Sequence, residues 1–415
     1  TGTWNRFKVL VDPTGKSWLD FPNVGFNGKW VVVTGNFFQN TSGGATGAVA
    51  YVFDKAAMMA NTGAPYTKIS ASSSFTLCPA LTYDSTEANI FIVNMYDNSP
   101  GQLRLRKITG PVGAPVLSSS IGFPTSAITW ASRAPGGNDF AKQLGSTEKI
   151  QTNDDRITNL VQRNGKLWCA HTIFRPNPGT ATRSAVMWWQ LDTTANPLQN
   201  GIIDDPATPS FYCFPSISVN KNDDAVVGFA NMSANIHPSA AYAMRYSSDP
   251  LDSMRPLFTY RHGKNTYVQR FGGTENRWGD YSSTCIDPSN NVDFWTIQES
   301  VPASANLWDT WWARIAVCPA NAVFSISSHM KNINETDTFT FTGTAPTGTT
   351  YTWDFGTSAI PATSTTAGPV NVKWTTTGWK KITLTVSTGT CSTTFLDSVL
   401  VRNAAAVKEI IPTGQ

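Results

Sequence analysis

Cys213-Phe214-Pro215-Ser216-Ile217-Ser218-Val219-Asn220 decides the fold, because the pattern it carries recurs along the chain. An aromatic or apolar residue precedes Pro, Ser or Thr, an alternating apolar and polar stretch follows, and a polar turn residue usually closes it. Four other segments align with it: Asp20-Phe21-Pro22-Asn23-Val24-Gly25-Phe26-Asn27, Leu77-Cys78-Pro79-Ala80-Leu81-Thr82-Tyr83-Asp84, Arg156-Ile157-Thr158-Asn159-Leu160-Val161-Gln162-Arg163 and Asp280-Tyr281-Ser282-Ser283-Thr284-Cys285-Ile286-Asp287. Each is followed by a second strand pattern, at 30–34, 90–95, 167–172, 225–230 and 292–298, and by a third, at 48–54, 102–108, 186–191, 240–245 and 310–316. A repeated antiparallel unit of this kind has two apolar faces and buries them only against its neighbours, so a ring of such units is the stable solution. The expected fold class is therefore all-β, with a β-propeller at the N-terminal side. Five repeats are visible, and the weak stretch at 110–153 leaves room for a sixth blade or more. Trp4-Asn5-Arg6-Phe7-Lys8-Val9-Leu10-Val11 is expected to complete the last blade.

Composition agrees with this reading. Of 415 residues 14% are charged and 12% aromatic, with 31 Gly and 25 Pro, a make-up suited to short strands and tight turns. The chain is too long for one ordinary core and is expected to hold two domains. A formal net charge of +3 with scattered Lys and Arg gives no footprint for nucleic acid. No apolar run reaches membrane-spanning length. The first residue is Thr1, which is read as a processed or truncated start.

The propeller pattern stops at Cys318-Pro319-Ala320. Short Thr-rich strands with Gly and Pro turns follow, at 322–326, 338–342, 351–356, 370–374, 381–387 and 398–401, the spacing of a β-sandwich. The expected division is a propeller over 1–317, a sandwich over 318–402 and a tail or linker over 403–415.

Tyr351-Thr352-Trp353-Asp354-Phe355-Gly356 and Gly378-Trp379-Lys380-Lys381-Ile382-Thr383-Leu384-Thr385-Val386 resemble the polycystic-kidney-disease (PKD) type of immunoglobulin-like module. Ile360-Pro361-Ala362-Thr363 with Gly368-Pro369-Val370 is similar to the variant common in secreted proteins of Bacteroidetes. The turn after Gly356 departs from the common form, carrying Thr357-Ser358 in place of an acidic residue and Gly. Such modules are spacers or carbohydrate-associated accessories, so the resemblance implies an extracellular or cell-surface setting. In that variant a Cys before the domain pairs with one late in it, and Cys318 and Cys391 match those positions, implying a disulfide worth about 2–4 kcal/mol. Cys78, Cys169, Cys213 and Cys285 form no C-x-x-C pair, and most sit in strand patterns as buried thiols; their pairing stays open.

The first domain resembles a group of exported bacterial propeller proteins without an established activity. The resemblance is carried by 164–172, by 214–220, by Asn276-Arg277-Trp278-Gly279-Asp280-Tyr281-Ser282 and by Asp293-Phe294-Trp295-Thr296-Ile297-Gln298-Glu299. By the repeat alignment Asp20, Arg156 and Asp280 head equivalent strands, where propeller ligands bind. Asp20 and Asp280 are the metal candidates, for Ca²⁺, which takes six to eight oxygens. Arg156, Arg277, Trp278 and Tyr281 are the ligand-binding candidates; the alternative is that these charges pair with one another. Trp278, Trp295, Trp308, Trp311 and Trp312 are candidate sugar platforms, with Trp295 expected in the core and the adjacent Trp311 and Trp312 on opposite faces.

No catalytic residue is assigned. The segment 283–295 resembles the Asp-box turn of sialidase propellers, which is structural, and a sialidase's arginines, Tyr–Glu pair and acid have residue types here (Arg156, Arg245, Arg277, Arg314, Tyr281, Glu299) but no assigning spacing. His171 fits a buried strand position better than a base, and no nucleophile elbow, zinc-protease pair or phosphate loop is present. A non-enzymatic secreted or surface protein, adhering to a glycan or protein through the propeller with the PKD-like domain as spacer, is the leading reading. A glycosidase or lyase at the mouth of the ring, and a self-associating structural subunit of a surface layer or filament, are the alternatives. A polar pocket with paired carboxylates favours the enzyme, and exposed aromatics favour the binder.

Overall fold

The computed structural model describes residues 4–95, 101–124, 130–318, 320–389 and 391–403. It is nearly all-β; among the described residues the one α-helix is Lys55–Met59, capped by the Asp54 carboxylate, which accepts from the Ala57 N–H. No described helix is long and apolar enough to cross a membrane. The chain divides into two compact units between Ile315 and Ala316.

The first unit is a propeller-type array of antiparallel meanders. The first runs through Ser17–Phe26, Trp30–Gln39, Ala45–Asp54 and Tyr66–Ala71; the second through Cys78–Pro79, Ile90–Met95, Leu103–Thr109 and Ile121–Phe123. The third comprises Ile157–Arg163, Lys166–Arg175, Arg183–Asp192 and Pro197–Ile203, and the fourth Phe211–Val219, Ala225–Ser233, Ile236–Arg245 and Phe258–Arg261. A fifth has Ser283–Ile286, Phe294–Ser300 and Asp309–Ile315. Their first strands gather at the centre: Phe26 and Val161 both pair in parallel with Leu81. Neighbouring meanders then bury their faces on each other, and Trp30, Trp168, Trp188 and Trp189 are fully enclosed.

The recurring aromatic–Pro step has a backbone cause. Phe21 and Phe214 both adopt positive φ, 54° and 53°. The ladder breaks register between Asp20 and Asn23, between Cys213 and Ser216, and between Ile157 and Leu160. These are β-bulges at aligned positions. Proline suits them because it has no N–H to give to the ladder, and the extra residue re-aims the preceding side chain. In the first, third and fourth meanders the repeat in the sequence is thus a bulge that turns the inner strand at its head.

One expectation is corrected. Residues 4–10 form no strand; Val9 and Val11 pack beside Val49, Tyr51 and Phe53 of the first meander, and the Tyr51 hydroxyl donates to the Val11 carbonyl at 2.9 Å. The described part of the segment 110–153, of which 125–129 lie outside the described residues, adds Val116–Leu117 and Ile121–Phe123 to the second meander and forms a hairpin of Asp139–Gln143 with Ser146–Gln151.

The second unit has two sheets. Phe324–Ile326, Asp337–Phe341, Val370–Trp374 and Ala359–Ile360 form one; Met330–Asn332, Ser392–Arg402, Gly378–Ser387, Thr350–Asp354 and Thr363–Ser364 form the other. Both contribute to one apolar core around Phe324, Phe339, Trp353 and Trp374. A disulfide joins Cys318 to Cys391, with Cα atoms 5.6 Å apart. The tail expected over 403–415 lies outside the described residues apart from Asn403. Cys78, Cys169 and Cys213 are buried free thiols, pushed up in pKa by burial, whereas Cys285 is exposed because its strand alternates and turns it to solvent.

Candidate functional site

A cleft of about 590 Å³ opens in the first unit between the loop that follows Tyr267 and the fifth meander, with Arg277, Asp280, Glu299 and Trp308 on its walls. The loop has no regular structure between Arg261 and Ser283, so side chains hold it. Asn276 is fully buried; its Nδ2 donates to the carbonyls of Lys149 (2.9 Å) and Tyr267 (3.0 Å), and its Oδ1 accepts from the Gln269 N–H at 2.7 Å. Glu275 accepts from Asn138 and Gln151, each at 2.9 Å. A loop tied this way can present functional groups without a strand beneath them.

Two backbone features shape the floor. Gly279 and Asp280 have φ of 61° and 116°, the second uncommon for a residue with a side chain. A Cβ on Gly279 would sit 3.1 Å from the Phe214 ring, itself aimed by its bulge. With that close approach the Gly279 N–H donates to Glu299 Oε2 at 3.1 Å. Gly279→Ala is therefore expected to cost about 1–2 kcal/mol in backbone strain and to displace the floor. Chemical denaturation together with ligand titration checks it, and wild-type behaviour in both would contradict this role.

The electrostatics are those of a partly dry pocket. Burial raises the Glu299 carboxyl to about 7, the Gly279 N–H opposing this and the Asp280 charge adding to it. Burial also raises Asp280, with Arg277 and Arg156 working against it and Asp20 with it. Glu299 is thereby able to donate and accept a proton near neutrality, beside a second carboxyl, Asp280, that is shifted in the same direction. The strand carrying Glu299 is steadied by a buried hydroxyl network in which Ser216 and Thr284 lie 2.8 Å apart, Thr284 and Thr296 2.9 Å, and Gln298 Nε2 donates to Ser216 at 3.2 Å.

Several of the residues expected from sequence meet here. Arg277 Nη2 bonds Asp280 at 3.3 Å. Arg156 stands 4.4 Å over the Phe21 ring and Tyr281 stacks on that ring at 4.9 Å. Arg156 also forks onto Asp154, at 2.7 and 2.8 Å, so its charge is paired. Among the described residues no group of three or more His, Cys, Asp or Glu side chains could hold a metal ion; the Asp20 charge is near enough to Asp280 to help raise its carboxyl.

Trp278 corrects its assignment: it is 3% exposed, edge-on to Tyr267 at 4.8 Å, and forms wall rather than platform. The exposed aromatics at the cleft are Trp308 and Phe271, the latter at φ 47°. Trp295 is also corrected. Strand alternation buries Phe294, and Trp295 lies half-buried against Trp312 at 5.1 Å, its Nε1 donating to Asp287 at 3.0 Å. Trp311 and Trp312 are both exposed, and Arg261 covers the former at 3.7 Å. Asp287, accepting from the Ser289 N–H and hydroxyl, builds a turn away from the cleft. His171 is fully buried, accepts from Trp189 Nε1 at 3.1 Å and is pushed down to about 3 by burial.

No family model and no curated protein matches the chain. Solved structures with some likeness include a protein of unknown function from Dyadobacter fermentans (8% identity, TM-score 0.38, covering 72% of this chain and 94% of that one). Others are a GH43_12 protein from a capybara gut metagenome (10%, 0.33, 94% and 84%) and a sialidase of Trypanosoma rangeli (10%, 0.36, 86% and 54%). Likeness of this degree carries no argument, and the functional reading rests on the chain's own geometry.

Proposed function

We propose that the first unit, as a propeller of five blades, binds a glycan in the cleft between Arg277 and Trp308. The observation that carries this is the composition of the cleft: exposed Trp308 and Phe271 beside the Arg277–Asp280 pair and Glu299. Aromatic faces cover the apolar faces of a sugar while carboxyl and guanidinium groups bond its hydroxyls. The protein then works outside the cell or at its surface, a setting that suits the Cys318–Cys391 bridge. The second unit, read as a PKD-like immunoglobulin module of the Bacteroidetes type, serves as spacer.

A glycan array probed with the whole protein tests this, with Trp308→Ala, Asp280→Ala and EDTA as arms. Specific binding lost in both variants is expected. Loss in EDTA as well brings a Ca²⁺ ion to Asp20 and Asp280, and binding untouched by either variant removes the cleft from consideration.

A second reading has its own support. Glu299, raised to about 7 beside Asp280, is suited to act as a general acid, and two carboxyl groups in one cleft are the equipment of glycoside hydrolysis. Release of reducing sugar from a bound glycan, abolished in Glu299→Gln with binding retained, would convert the binder into a hydrolase.

A further inference from the structure

The cleft does not end at Asp280. Its neighbour Tyr281, 42% exposed, stacks on Phe21 at 4.9 Å; Phe21 carries Arg156 on its ring at 4.4 Å, and the same guanidinium lies 5.5 Å from the Phe75 ring. Phe75 meets Phe38 edge-on at 6.3 Å, and Phe38 stacks under Trp18 at 5.2 Å, where Trp18 is 47% exposed. These six side chains come from the first meander, from the bend before the second, and from the heads of the third and fifth. They form one unbroken chain of ring and guanidinium contacts from the cleft to an exposed indole in a different meander.

Resting on the glycan reading, we infer that this strip is a run of subsites for an extended, uncharged polysaccharide chain, entering over Trp18 and ending in the cleft at Trp308. Three observations select that occupant. The two ends, Tyr281 and Trp18, are exposed and each is backed by a stacked ring, Phe21 and Phe38, so the end platforms are held rigid before a ligand arrives. Rigid aromatic platforms lose little entropy on binding and suit stacked sugar rings. The charge is already satisfied: Arg156 is forked by Asp154 and Arg277 is bonded to Asp280. A uronate or sulfated chain would have to break those pairs, whereas a neutral chain uses their remaining lone pairs and N–H groups as they stand. Finally, Asp20 is exposed on the strand that also carries Trp18 and Phe21 and would repel an anionic chain.

The test measures affinity for neutral β-1,4-linked gluco-, xylo- and mannooligosaccharides, as disaccharides and as hexasaccharides, alongside polygalacturonate. Wild type should prefer the hexasaccharide of one series and ignore polygalacturonate. Trp18→Ala should weaken the hexasaccharide about three- to tenfold and leave the disaccharide unchanged; Trp18→Phe should restore most of the loss. Trp308→Ala should weaken both lengths. Trp18 is a surface residue, and an unchanged melting curve for Trp18→Ala shows that the variant folds. If Trp18→Ala binds the hexasaccharide as wild type does, or polygalacturonate binds best, the strip is overturned while the cleft reading survives. If neither these chains nor any glycan of the array binds wild type, both fall.

Discussion

Replacing Cys318 and Cys391 by Ala is expected to lower the stability of the second unit by about 4 kcal/mol, with the first unit unaffected. The bridge spans 73 residues, and closing a loop of that length removes roughly 4 kcal/mol of unfolded-chain entropy on the polymer model. For a unit of this size that is on the order of a 20 °C fall in its transition temperature. The bond ties the entry of the unit to the start of its last strand, Ser392–Arg402, whose central hydrogen-bonding partner is Gly378–Ser387. Without it the entry segment, where the Ala322 N–H donates to Thr393 at 2.9 Å and Asn321 bridges Thr344, is held by few bonds and should fray first. Differential scanning calorimetry of the whole chain measures this as two transitions, one of which moves. Two unmoved transitions would mean that the apolar core around Trp353 and Trp374 suffices alone. The double substitution is preferable to a reductant because the exposed Cys285 thiol can take part in exchange.

The parts legible in the sequence share a physical cause. A strand pattern reports which residues alternate, and a bulge requires particular residues at one place. That is why 90–95 and 370–374 coincide with Ile90–Met95 and Val370–Trp374, and why aromatic–Pro steps mark the heads of inner strands. Alternation does not say which face is inward. Phe294 and Trp295 are equally apolar, and only the packing of the neighbouring meander decides that Phe294 is buried. The cleft was the least legible part. Glu299 is visible as a residue type, but its role depends on Gly279, 20 positions away on an irregular loop. Phe271 sits in the same loop, where no periodicity exists to read. A signal was present in Asn276-Arg277-Trp278-Gly279-Asp280: a buried Asn that pins a loop, and a Gly before Asp at a positive φ where a Cβ would crowd the Phe214 ring.

Glu299→Gln is expected to stabilise the first unit above neutrality and to do little at pH 4. The native carboxyl is raised from 4.5 to about 7, so between those values the folded protein keeps a proton that the unfolded chain has released. Stability rises with pH only where the unfolded state binds more protons; here it binds fewer, and stability falls through that window and levels off above it. The displacement corresponds to about 3 kcal/mol at most. Gln keeps a carbonyl oxygen for the Gly279 N–H and cannot ionise, so the variant removes the charge and little else. Asp280 is raised in the same direction, and its share should persist as a weaker slope in the variant. The two carboxyls interact, so the double variant Glu299→Gln with Asp280→Asn is expected to fall short of the summed effects. Urea denaturation of both proteins at pH 4, 6 and 8 measures the difference. Parallel pH profiles would show that Glu299 ionises in the native cleft as an ordinary carboxylate, and with that the proton-donor reading of the site would go as well. A difference that opens between pH 4.5 and 7 would place a neutral acid in the cleft at the pH where a bound sugar oxygen needs a donor.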